Sequence, residues 1–131
     1  MSPATTLARV EQRCEKREFE AMKSQEMFRQ QQEATLCLQD VLSYGIRLGL
    51  PVLSWTVTYG GVLMAEVRSQ TPREDFRAWA GHLAVEPEDL SHDGETVLRA
   101  ISETGLPGRG RHVRIILVAR FLDEPAASDA A

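Results

Sequence analysis

Between Thr6 and Gly49 the chain contains no proline, and its first glycine there is Gly45. No other feature constrains the fold as much. The run is built mostly from Glu, Gln, Arg, Ala, Leu and Met, residues that lose little side-chain freedom in a helix. Opposite charges recur at supporting spacings, as in Lys16 with Glu20, Glu26 with Arg29 and Arg29 with Glu33. Gly49 and Pro51 then supply the stop, one able to take a left-handed cap and the other unable to continue a helix.

The two halves of this helix have different faces. Ala34, Cys37, Leu38, Val41, Leu42 and Leu48 form a wide apolar stripe suited to packing on a sheet. Further up, Leu7, Val10, Cys14, Ala21 and Phe28 sit at heptad-like positions, but Arg17, Ser24 and Gln31 interrupt the seam. A helix of about 44 residues is roughly 66 Å long, more than the width of a domain this size. It must overhang, break near Gln30-Gln31-Gln32, or pair with another chain. An overhang would leave Phe19, Met22, Met27 and Phe28 facing water, and such apolar surfaces mark contacts. These four residues are the candidate oligomerisation positions, and a homodimer is expected.

After Pro51 the apolar period becomes two. Leu53, Trp55, Val57 and Tyr59 alternate with Ser54, Thr56 and Thr58, the pattern of a half-buried strand. Gly60-Gly61 turns the chain into residues 62–68. A two-residue turn would set Trp55 opposite Glu66, so an odd loop that aligns Tyr59, Val57 and Trp55 with Leu63, Ala65 and Val67 is preferred. Thr71-Pro72-Arg73-Glu74 predicts a helix start with a capping box, and Phe76, Trp79, Ala80 and Leu83 give that helix a buried face. An acidic loop runs through Asp93-Gly94. Two further strands are expected at 96–104 and 112–122, joined by the glycine-rich segment 105–110. The fold class is α+β: a long N-terminal helix, then β-β-α-β-β, an antiparallel sheet packed by helices. Residues 1–33 are expected to be a helical extension and oligomerisation arm, 34–122 the core domain, and 123–131 a disordered tail.

Composition removes several classes. With 43% apolar and 26% charged residues the chain suits a globular core, and no apolar stretch approaches the roughly 20 residues of a bilayer span. The opening residues carry no apolar signal segment, and Cys14 and Cys37 lie too far apart on one helix to be bridged, which together predict a cytoplasmic protein with free thiols. The net charge of −4 conceals a division: residues 51–95 hold 3 basic and 8 acidic groups, and residues 96–122 hold 5 and 1. Such blocks guide docking orientation.

The motifs of hydrolases, phosphate-binding loops and zinc sites are missing from the chain, so no catalytic residue, cofactor or metal is expected. His82, His92 and His112 have no ligand spacing. His92-Asp93 with Glu95 is the nearest approach to an acid–base cluster, in what reads as a solvated turn. Trp55, Tyr59, Phe76 and Trp79 read as core rather than as a ligand pocket. Arg109, Arg111 and Arg114 crowd a flexible hairpin and are the candidate partner-binding residues, suited to an acidic protein surface. A nucleic-acid backbone is the alternative, disfavoured by the acidic balance of the whole chain. The expected function is a non-enzymatic interaction or regulatory module that self-associates through its N-terminal helix. Nucleic-acid-associated regulation comes second, and a small-ligand binder or an enzyme with a dimer-interface site third.

Overall fold

The computed structural model describes residues 3–105 and 112–122, and within the first helix the side chains of residue 13, of 16–18 and of those from 20 onward. The expected tail at 123–131 lies outside the described residues.

The long run is one unbroken helix, α1, Pro3–Leu48. At 1.5 Å per residue its 46 residues reach roughly 69 Å, so the helix does not break and runs on past the sheet. The glutamine run does not break it, because glutamine is itself a good helix former. The expected stop is built: Gly49 takes a φ of 65° and the Leu50 N–H reaches back 2.9 Å to the Gly45 carbonyl. Continuity also holds the Cα atoms of Cys14 and Cys37 roughly 35 Å apart, beyond any bridge within one chain. Cys37 is buried and forms no disulfide among the described residues.

Five strands follow, β1 (Ser54–Val57), β2 (Leu63–Val67), β3 (Glu88–Asp89), β4 (Glu95–Ser102) and β5 (Ile115–Leu122), with α2 (Pro72–His82) between β2 and β3. They form a single sheet in the order β1-β2-β5-β4-β3. The expected antiparallel sheet is corrected at one place: β2 and β5 pair in parallel, Leu63 beside Ile115 through Val67 beside Ala119, while every other pair is antiparallel. The chain leaves β2 through α2, returns along the sheet's far edge, and β5 then fits between β2 and β4. That inner position explains why β5 is apolar on both faces.

The β1–β2 loop is odd and keeps Trp55 and Val57 on one face with Leu63 and Ala65, but the register differs by two from the expected one. Val57, not Tyr59, stands opposite Leu63. Thr58 closes a five-residue loop by accepting the Val62 N–H on its hydroxyl (3.1 Å) and donating its own N–H to the Val62 carbonyl (2.9 Å), while Gly61 turns at φ 74°. Tyr59 is thereby lifted to the tip and is 77% exposed, so it leaves the expected aromatic core. The capping box of α2 is also not formed: Thr71 makes no side-chain cap and its hydroxyl instead contacts Asp75 Oδ1 at 3.1 Å.

Both helices lie on one face of the sheet. Ala34, Cys37 and Val41 of α1 and Phe76, Trp79 and Ala80 of α2 bury against Leu63, Ala65, Ile115 and Leu117. Gly45 lets α1 close on α2, since a Cβ there would stand 3.2 Å from the Trp79 ring. The opposite face carries Thr56, Met64, Glu66, Ile116, Val118 and Arg120, and no described element covers it. No helix among the described residues is long and apolar enough to cross a membrane.

Candidate functional site

Three segments far apart in sequence meet at one end of the sheet: the middle of α1, the β1–β2 turn, and the residues entering β5. Between them lies a cleft of about 650 Å³ lined by Arg29, Glu33, Gly60, Gly61, His112 and Arg114, among others. The approach of turn to helix is close. A Cβ on Gly61 would stand 2.7 Å from Gln30 Cβ and 2.8 Å from the Gln30 backbone, so only glycine fits. The Gln31 side-chain amide donates to the Thr58 carbonyl at 3.4 Å, fastening the same turn.

The two arginines of the cleft are already engaged. Arg114 Nε donates to Glu103 Oε2 at 2.9 Å, and Arg29 Nε donates to Glu26 Oε2 at 3.0 Å. The Arg29 guanidinium, chiefly through that hydrogen bond, holds the Glu26 carboxyl below its usual range, and Glu26 in turn raises Arg29. Both pairs are solvent-exposed, and exposed pairs contribute little to stability. An incoming carboxylate can therefore displace either glutamate at small cost. Of the three expected partner-binding residues, Arg114 stands at this cleft, while Arg109 and Arg111 lie outside the described residues. Arg29 and Glu33 were not anticipated. Their signal was the Gly60-Gly61 pair, which marks a turn that something approaches closely.

The candidate oligomerisation residues are distributed unevenly. Met22 and Phe28 are 66% and 71% exposed, and Met27 is half-buried in a small hollow shared with Phe28 and Tyr59. The backbone of Phe19 belongs to α1, and its side chain lies outside the described ones. Every described side chain from Arg13 to Glu26 is exposed.

The remaining candidate chemistry is taken up by structure. His92 and Glu95 face each other as a β-bridge across a tight turn, with Asp93 at φ 47° and Gly94 at φ 79°, and the Glu95 carboxylate turns to Arg120 Nε at 3.4 Å. The Tyr44 hydroxyl and His82 Nδ1 lie 3.2 Å apart. Phe76 and Trp79 are buried, Trp55 meets Trp79 edge-on with centroids 5.4 Å apart, and the Trp79 indole N–H donates to the Pro51 carbonyl at 2.7 Å. Among the described residues no cluster of three or more His, Cys, Asp or Glu is arranged to hold a metal.

No family model matches the chain, and neither a curated protein nor a solved structure is significantly similar to it.

Proposed function

We propose that the protein is a non-enzymatic interaction or regulatory module that self-associates through its N-terminal helix and offers the cleft at Arg114 to an acidic surface of a protein partner. The observation that carries this reading is the overhang. The contacts of α1 with the body of the molecule reach back to Ser24 at the Tyr59 hollow, and residues 3–23 continue as roughly 32 Å of helix. A solitary projecting helix of that length is marginal in water, and a second chain would stabilise it. The reading places the protein in the reducing cytoplasm, which suits the buried, unbridged Cys37.

Sedimentation velocity of the Met22→Glu, Phe28→Glu variant tests the first part. The variant is expected to sediment as one chain that still unfolds cooperatively, because both side chains are exposed in the monomer. A dimer that survives both substitutions contradicts it. The second part is tested by titrating a polyglutamate peptide and a generic DNA duplex against the protein at increasing salt. Binding of the peptide, lost when Arg109, Arg111 and Arg114 are replaced by Ser, supports the reading. Tight duplex binding with a steep salt slope would instead favour a nucleic-acid partner.

A further inference from the structure

The outer edge of β1 is open and unprotected. The Thr58 N–H bonds to the Val62 carbonyl, and the Leu63 N–H turns to the Arg114 carbonyl just before β5. In an antiparallel ladder hydrogen-bonded and non-bonded pairs alternate, so Trp55 and Val57 direct their N–H and C=O groups away from β2. Among the described residues these four groups have no partner. Nothing in Ser54-Trp55-Thr56-Val57 blunts the edge with lysine, proline or charge.

The helix alongside this edge has the same character. α1 runs antiparallel to β1, with Leu42 and Ile46 beside Val52 and Trp55 at one end and Phe28 beside Tyr59 at the other. The stripe that follows this flank at helical spacing is Ser24, Phe28, Gln31, Thr35, Gln39, Leu42 and Ile46, and no member is charged. Glu26, Arg29, Glu33, Asp40 and Arg47 all fall on the opposite flank. Half of the exposed large apolar side chains among the described residues lie along this flank: Phe28, Leu42, Ile46, Val52 and Tyr59, the isoleucine 84% and the valine 92% exposed.

We infer that the occupant of this edge is a second copy of the chain, paired antiparallel through β1 about a two-fold axis at Thr56. The inference rests on the reading of the chain as self-associating and gives that association a face and a register. The two residues with unpaired groups stand symmetrically about Thr56, so the axis sets Trp55 opposite Val57 of the second copy, and Val57 opposite its Trp55. Each becomes a hydrogen-bonded pair, and all four groups are satisfied. The same axis lays the two α1 helices antiparallel on one side of a continuous sheet, Phe28 of each approaching the Leu42–Ile46 end of the other. An uncharged groove lets two chains of net charge −4 meet there without repulsion.

Cysteine cross-linking in a Cys14→Ser background tests the register. In this pairing Thr56 faces its own copy as a non-hydrogen-bonded pair, with Cα atoms about 4.5 Å apart, within disulfide reach. Ser54 of the two chains would stand roughly 14 Å apart, out of reach. Thr56→Cys is therefore expected to form a covalent dimer on mild oxidation at least ~10-fold faster than Ser54→Cys, both residues being exposed in the monomer. Equal rates overturn the inference and leave the groove to an extended segment of another protein. Thr56→Lys separates this idea from the projecting arm. Two lysines meeting at the axis should give a monomer although the projecting arm is intact, and removal of residues 1–20 should weaken the dimer without changing the Thr56→Cys cross-link. If truncation gives the monomer and Thr56→Lys does not, the arm is the interface and the edge pairing is wrong. If both variants remain dimeric, the edge pairing is likewise wrong.

Discussion

The C-terminal half of α1 and its N-terminal half are the same helix held by different forces. From Ala34 to Gly45 the helix has a buried side, with Ala34 and Val41 fully covered by the sheet and α2, and its backbone geometry is enforced by packing. From Pro3 to Lys23 it rests on intrinsic propensity and local pairs, with no described side chain buried. Packing an amphipathic face is the usual source of helix stability in proteins, and propensity alone sustains such a length only marginally. The contrast locates the functional question in the first half, where the chain maintains helix that its own fold does not use.

Matched substitutions sharpen that contrast. Val41→Asp places an unpaired carboxylate in the core and is expected to cost upward of ~3 kcal/mol, enough to unfold a chain of ordinary stability. The same residue introduced as Ala21→Asp in the projecting half should cost at most about 0.7 kcal/mol, the difference in helix propensity. Circular dichroism melts of the two variants check the pair, and equal losses would mean that both halves are packed.

The next largest effect is expected at the junction between the halves. Gly61→Ala combines a left-handed φ with a clash against the Gln30 backbone and should cost about 1–3 kcal/mol. Gly60→Ala meets nothing within 4 Å and should be nearly silent. Hydrogen exchange should report the difference as lost protection around residues 28–34 in Gly61→Ala alone.

Much of the scaffold was legible and some of it was not, for identifiable reasons. Periodicity carried the helices and the alternating faces of β1 and β5, because burial acts on every second or every third and fourth side chain. The Gly49 stop was legible because few residues take that φ cheaply. The β1–β2 register was not, since it turns on one hydroxyl, Thr58, closing a loop that glycine composition alone would make shorter. The parallel β2–β5 pair was not, because pairing partners are chosen by the three-dimensional path through α2 and leave no mark on either strand's pattern. β3 escaped notice because Glu88 and Asp89 are both exposed, and its place is held by an Arg99–Glu88 pair at 2.9 Å and by backbone pairing. At the candidate site the arginine cluster was visible in composition, while the contribution of Arg29 and Glu33 required knowing which helix the turn touches.

The smallest expected effect concerns charge on the exposed flank. Glu26 has its carboxyl pKa depressed by the Arg29 hydrogen bond, so its contribution is present above the unfolded pKa and is lost as pH falls through the folded one. Glu26→Gln should remove that acid-side dependence with hardly any change at neutral pH. Urea melts at neutral and acid pH compare the two proteins, and a large neutral-pH loss would show that the pair does more than decorate a solvated face.

The central claim is that the unused half of α1 exists for association, and the most direct measurement is the mass of the intact chain by light scattering across a range of concentrations. The account predicts twice the chain mass of 14.6 kDa at high concentration, falling to the single-chain value on dilution or in Met22→Glu, Phe28→Glu. A single-chain mass at every concentration would contradict it.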